Sequence, residues 1–140
     1  MKKLKLVTAL LFLALVACNK DDATPSGSIN DNFDPTKATL IKSGNLVGVG
    51  HTVSGTATIY DSSGIKTVLL DPYSSQNGPD LKVYLSKDQN ASVFISLGKL
   101  KSITGKQSYE VPANTDVTDY NYVLIWCQQF SVLFGKAELQ

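Results

Sequence analysis

The stretch from residue 53 to residue 71, VSGTATIYDSSGIKTVLLD, decides the fold class. Two runs rich in β-branched residues, 53–60 and 66–71, flank the turn-forming tetrapeptide Asp61-Ser62-Ser63-Gly64. Gly64 can adopt the positive φ that a tight hairpin needs. The pattern therefore predicts two neighbouring antiparallel strands joined by a hairpin.

The same alternation continues through the rest of the chain. From residue 38 onward, short apolar runs are separated by Gly, Asn, Asp, Ser or Pro, and no long window keeps a helical period. Strands are predicted at residues 39–49, 53–60, 66–71, 81–86, 93–97, 107–111, 122–127 and 130–139. The run YVLIWC at 122–127 is apolar on both faces, which predicts a central strand covered on each side. We therefore expect an all-β domain over residues 38–140, a single β-sandwich or small barrel of about eight mostly antiparallel strands.

The first residues have the layout of a secretory signal. A basic start is followed by a short apolar run and by LVAC at 15–18, which resembles the lipobox of bacterial lipoproteins. This resemblance implies that residues 1–17 are a lipoprotein signal peptide and that lipid is attached to Cys18. The apolar run is shorter than the ~20 residues that span a bilayer.

A polar segment separates this signal from the predicted domain. Residues 18–37 are expected to form the lipidated cysteine and a flexible tether, because they contain few apolar residues to bury. The tetrapeptide NKDD at 19–22 resembles the tract that directs lipoproteins of some Gram-negative bacteria to the outer cell face, and a plain solvated tether is the other reading. The expected location is the outer membrane of a Gram-negative bacterium, with surface exposure left open.

Composition excludes several function classes. The chain has 140 residues, with 13 lysines against 12 acidic residues and no arginine. Cleavage before Cys18 would leave 10 lysines and a net charge of −2, so nucleic acid is not an expected partner. The single histidine, His51, and the single methionine, Met1, cannot supply a multi-histidine metal site or a His-Met haem pair. No metal site is predicted.

Several spaced motifs carry a family resemblance. They are Gly55-Thr56, GPDLKVYL at 78–85, LGKL at 97–100, GKQSYEVP at 105–112 and VLIWCQQFSVLFGKAEL at 123–139. Together they resemble the DM-thirteen domain family, an electron-transfer domain, over about residues 40–140. The resemblance implies that Cys127 is the candidate redox residue, since it matches the cysteine proposed for that role in the family. It also implies a place on cell surfaces or beside haem-binding domains, and a redox partner protein.

Cys127 is the most informative side chain, because lipidation of Cys18 would leave it as the one thiol of an exported chain. Three readings are open: a small buried hydrophobe, an intermolecular disulfide, or a thiol that accepts oxidation or ligates a group such as haem iron. His51, in the turn GVGHT at 48–52, is either a surface turn residue or the partner of Cys127. As a partner it would be a second cofactor ligand or a base. The sequence contains no motif for an orienting carboxylate or an oxyanion hole, so a Cys–His enzyme is disfavoured.

Two function hypotheses follow. The first is an exported domain, anchored to the membrane by lipid on Cys18, with an electron-transfer role through Cys127, with or without a cofactor such as haem that involves His51. The alternative is a cell-surface module that binds a protein or glycan, with Cys127 only a buried core residue. Six tyrosines could line such a binding face or could sit at the rim of the core. Four aspartates in loops are expected to form turns rather than a calcium site: Asp71, Asp80, Asp116 and Asp119.

Overall fold

The computed structural model describes residues 23–140 as nine β-strands and one short 3-10 turn, Pro35–Lys37. The strands are β1 (Ser28–Asn30), β2 (Thr39–Gly48), β3 (Val53–Ser62), β4 (Ile65–Ser75), β5 (Leu81–Ser86), β6 (Phe94–Lys99), β7 (Thr104–Glu110), β8 (Tyr122–Cys127) and β9 (Val132–Glu138). The predicted signal peptide, the lipidated Cys18 and the first part of the tether lie outside the described residues. Within 23–140, no helix has the length and apolar character needed to cross a membrane.

All nine strands belong to one sheet, in the order β1-β7-β4-β3-β2-β9-β8-β5-β6. Every pairing is antiparallel except that of β1 with β7. Bulges interrupt the register in several pairs, for example between Gly55 and Ala57 of β3, and each bulge bends the strands and increases their twist. The sheet curls into a half-barrel around its apolar face. The all-β prediction is confirmed, with nine strands in one sheet instead of about eight.

The hairpin that decided the fold class forms as expected. β3 and β4 pair antiparallel down to Ser62 and Ile65, and the two residues between them, Ser63 and Gly64, have φ of 53° and 89°. The Gly64 N–H donates to the Asp61 carboxylate at 2.7 Å. The local sequence thus fixes the register of both strands.

β8 is the central strand predicted from its apolar sequence. It lies between β5 and β9, and Val123, Ile125 and Cys127 point into the main core. On the other face Leu124 is fully buried. Both faces of the strand are therefore covered, as its sequence predicted.

Regular structure is already present before residue 38, inside the segment assigned to the tether. Thr24 exchanges two hydrogen bonds with the Asn77 side chain, at 3.0 and 2.7 Å, and β1 adds a parallel strand to β7. Because backbone and amide groups make these contacts, a polar sequence can form them. Apolar periodicity contains no signal for such a strand.

Asp31 secures this N-terminal segment to the sheet. Its carboxylate accepts hydrogen bonds from the N–H groups of Phe33 and Ser108, at 3.0 and 3.2 Å, and pairs with Lys101 at 3.1 Å. Burial raises the pKa of Asp31, but the hydrogen bonds from Phe33, Ser108 and Lys101 outweigh it and bring the pKa to about 2. The ionised carboxylate is therefore bound more tightly in the folded state than in the unfolded chain.

Replacing Asp31 by Asn tests this contact through its pH dependence. Because the folded pKa lies below the unfolded value, the carboxylate stabilises the protein above about pH 4, and this stabilisation is lost as the pH falls towards 2. We expect Asp31→Asn to lower the free energy of unfolding by at most about 2 kcal/mol at pH 7, with the difference vanishing near pH 2. Urea unfolding across this range measures it. Glu110→Gln, at an exposed carboxylate, is the matched control, and a difference independent of pH for Asp31→Asn would contradict the assignment.

A buried polar network closes the β7 side of the core. The Gln107 side chain is fully buried, accepts from the Tyr109 hydroxyl at 2.6 Å and donates to the Ser102 carbonyl at 2.9 Å. The Tyr109 hydroxyl in turn accepts from the Lys101 N–H at 2.9 Å. Burial raises the pKa of Tyr109 far above its ordinary value, so this hydroxyl stays protonated and remains a donor.

Removal of the Gln107 amide should be costly. Gln107→Ala leaves the Tyr109 hydroxyl and the Ser102 carbonyl unpaired inside the core, and we expect a loss of about 3 kcal/mol in the free energy of unfolding. Chemical denaturation measures this loss. Gln128→Ala, at an exposed position, should cost less than about 0.5 kcal/mol. A loss below about 1 kcal/mol for Gln107→Ala would mean that water replaces the amide.

Candidate functional site

Three connections meet at one end of the half-barrel: the β2–β3 turn, the β4–β5 loop and the β8–β9 turn. Cys127 is the last residue of β8 and lies opposite Leu81 of β5 and Val132 of β9. Alternation along β8 points its side chain to the same side as Val123 and Ile125, which is the core side. The thiol therefore sits where the core meets the end of the sheet.

His51 and Phe134 form one wall of this end. Their rings stack with centroids 3.7 Å apart and planes 7° from parallel. The Phe134 carbonyl accepts from the Val49 N–H at 2.8 Å, which ties the β2–β3 turn to β9. A Cβ atom at Gly78 would lie 2.6 Å from the Phe134 ring, so only glycine allows the β4–β5 loop to approach so closely.

Cys127 is almost fully buried, with 1% of its surface exposed, and is a free thiol. Its Sγ lies 2.9 Å from the Pro79 carbonyl oxygen, so the S–H donates to that carbonyl. Pro79 itself pairs with Ala23 in an isolated β-bridge. The thiol is thus held by the loop that also receives the N-terminal segment.

An apolar pocket of about 260 Å³ opens over this thiol. Its lining consists of His51, Pro79, Cys127, Phe130, Val132 and Phe134. Phe130, in the β8–β9 turn, is 64% exposed, and Val132 is 37% exposed. The pocket therefore joins a buried thiol to a half-buried imidazole beneath a loosely packed aromatic ring.

Long stretches of the sequence that forms the pocket are uncharged. Residues 43–60, 72–79 and 121–135 contain no Lys, Asp or Glu. The nearest charged residues along the chain, Asp80 and Lys82, form an ion pair with each other at 2.7 Å. Cys127 and His51 are thus the titratable side chains of the lining.

The structure places the two predicted site residues together and leaves the other candidates elsewhere. Among the described residues, no three His, Cys, Asp or Glu side chains lie close enough to hold a metal ion. Asp116 accepts from the Thr118 N–H in a turn, and Asp119 pairs with Lys87. None of the six tyrosines is strongly exposed, and the three buried ones are Tyr73, Tyr84 and Tyr109.

Sequence reasoning missed the part that Phe130 and Phe134 play in the pocket. Phe130 was assigned to the last strand, but it lies in the turn before β9. The signal that could have revealed it is an aromatic residue in a polar turn, in Gln128-Gln129-Phe130-Ser131. Phe130 and Val132 are both exposed at the pocket, and neighbouring exposed apolar side chains of this kind often mark a contact surface.

A haem held by Cys127 and His51 does not fit this site. The His51 ring is stacked flat on Phe134, and the Cys127 S–H is donated to the Pro79 carbonyl, so both side chains are already engaged with the protein. The pocket volume is also below the roughly 300–1,000 Å³ of sites for drug-sized ligands, and a haem exceeds that size. The residues present favour chemistry of the thiol itself.

Fold and site together define a class: a small all-β domain with one free thiol beneath an apolar pocket. The family model described as Electron transfer DM13 matches residues 45–139, and the chain therefore belongs to the DM13 family. The match spans β3 to β9 and the end of β2, which includes Cys127 and His51. No curated protein and no solved structure matches the chain. Membership gives the domain an electron-transfer-related role.

Access to the thiol should depend on Phe130. In the native protein we expect slow alkylation of Cys127 by an uncharged maleimide, because 1% of the residue is exposed. Phe130→Ala should raise the native alkylation rate about tenfold or more with little loss of stability, since it removes a side chain that is already largely in solvent. Timed mass spectrometry measures the rate.

The control is Ile65→Ala, which truncates a 56% exposed residue at the start of β4, at the other end of the sheet. It should leave the alkylation rate at the wild-type value. Equal rates for Phe130→Ala and the wild type would mean that reagent reaches Cys127 only when the domain unfolds.

Proposed function

We propose that this protein is an exported, lipid-anchored electron-transfer domain in which the Cys127 thiol is the redox group. The observation that carries the proposal is the position of the thiol: it forms the floor of an apolar pocket and shares that pocket with His51. Family membership supports the redox role, because the family is described by electron transfer. The proposed cell location is the outer membrane of a Gram-negative bacterium, with lipid on Cys18.

Thiol–disulfide exchange is the chemistry that one cysteine can perform without a cofactor. Cys127 sulfur attacks one sulfur of a partner disulfide, a new S–S bond forms, and the partner S–S bond breaks. The Cys127 proton passes to His51 and from there to the leaving sulfur, which departs as a thiol. One sulfur of a dithiol then attacks the partner sulfur of the mixed disulfide and releases Cys127 in its original form, and the second sulfur of the dithiol closes its own S–S bond by expelling the remaining partner thiol. The net result moves two electrons from the dithiol to the partner disulfide.

The pocket suits this exchange in two respects. Its apolar walls exclude charged disulfides and favour partners that present an uncharged or apolar group. His51 contributes the titratable nitrogen that the proton transfer requires, and stacking on Phe134 limits the orientation of its ring. In this proposal His51 assists the exchange and binds no metal.

The exchange is tested with 2-hydroxyethyl disulfide on the mature protein purified from membranes. Wild-type protein should form one mixed disulfide at Cys127, visible by intact mass, and a thiol should restore the starting mass. His51→Gln should slow the exchange by about 10²-fold, the lower end of what a positioned acid–base residue contributes. Its alkylation rate after denaturation should equal that of the wild type, which separates chemistry from unfolding.

Two controls frame the result. Cys127→Ser should form no adduct, and Phe130→Ala should react faster than the wild type. A thiol that resists the disulfide in Phe130→Ala as well, while the protein stays folded, would overturn the redox role. The chain would then be an interaction module in which Cys127 is only a core residue.

The anchor has a separate test. Intact mass of the membrane-purified protein should show acyl chains on Cys18 and no residues 1–17. Cys18→Ala should abolish this modification and release the protein from the lipid-anchored fraction. Unmodified Cys18 in membrane-purified protein would contradict the anchor and leave the thiol chemistry untouched.

A further inference from the structure

The N-terminal segment enters the domain at the same end as the Cys127 pocket. Ala23 pairs with Pro79, which lines the pocket, and the Pro25 carbonyl accepts from the Ile103 N–H at 3.1 Å. Five peptide steps separate Ala23 from Cys18. An extended chain covers at most about 3.6 Å per residue, so a lipid on Cys18 lies within about 18 Å of Ala23.

The surface around the pocket has the composition of a membrane-contacting surface. Phe130 and Val49 project from neighbouring turns, with 64% and 39% of their surfaces exposed. The three connections around the pocket contain one formal charge, Asp80, which pairs with Lys82 at 2.7 Å. Exposed aromatic and aliphatic side chains beside a single closed ion pair can enter the bilayer interface with little desolvation of ions.

Charge does not distinguish the two ends of the half-barrel. The pair of Lys87 with Asp119 lies at the other end, and Lys99 and Lys101 flank the β6–β7 connection at the pocket end. The pocket end is set apart because the N-terminal segment enters it beside the exposed Phe130.

We propose that the pocket end of the domain docks on the lipid bilayer, with Phe130 and Val49 in the interfacial layer. This inference rests on the proposed lipid anchor at Cys18, which places the bilayer within reach of this surface. It deepens the proposed function by limiting the partner class. A pocket that faces the bilayer exchanges electrons with thiols or disulfides that are themselves held at the membrane surface.

Depth-dependent fluorescence quenching tests the docking on the intact, lipidated protein. In a Trp126→Phe background, a single tryptophan is introduced by Phe130→Trp or, as the matched control, by Ile65→Trp at the other end. The protein is reconstituted into vesicles of phosphatidylethanolamine and phosphatidylglycerol, with or without bromine on the acyl chains. We expect bromine to quench the Phe130→Trp emission by about half and to leave Ile65→Trp unchanged. If Trp126→Phe fails to fold, the same pair is measured with Trp126 present and its emission subtracted.

The outcomes separate this inference from the proposal on which it rests. Protein that floats with the vesicles while Phe130→Trp stays unquenched overturns the docking alone. Equal quenching of both tryptophans also overturns it, because the domain would then contact lipid without a preferred end. Protein that carries no acyl chain and does not float overturns the anchor and the docking together.

Discussion

Burial of both faces of β8 is the constraint on which the rest of the structure depends. A strand that is apolar on each side must be covered twice, and the curl of the sheet covers one face with the main core. On the outer face, Tyr84 stacks on Phe94 at 4.2 Å and lies beside Trp126. Neighbouring strands on both sides fix the register of β8, and a slip by one residue would move Val123 and Ile125 out of the main core.

The position of the thiol follows from that register. Cys127 points to the same face of β8 as the core residues, but it is the final residue of the strand, where the sheet ends and the turn begins. A cysteine earlier in the strand would be enclosed by neighbouring side chains on either face. The end position lets Cys127 be a core residue and the floor of a pocket at once. A small buried hydrophobe and a reactive thiol are therefore both compatible with this position of Cys127.

The sequence predicted what alternation and turn chemistry control. Residues 81–86 and 122–127 have the predicted bounds, and the β3–β4 hairpin closes at Gly64 as its turn residues required. β1 was missed because its pairing with β7 is made by backbone groups of a polar segment. The pocket could be anticipated only as a pairing of Cys127 with His51. Its remaining walls come from loops distant in sequence, such as Gly78 against Phe134, and one-dimensional periodicity contains no record of such contacts.

Burial of a redox thiol has a physical rationale in an oxidising compartment. An exposed cysteine there would be consumed by any disulfide or peroxide that it met, because reactivity follows access as well as thiolate character. Cys127 shares its pocket with Phe130, which is 64% exposed. In the proposed exchange, a partner group has to pass this ring and tolerate an apolar wall to reach the sulfur. Low exposure in the resting state is therefore compatible with the electron-transfer role proposed for Cys127.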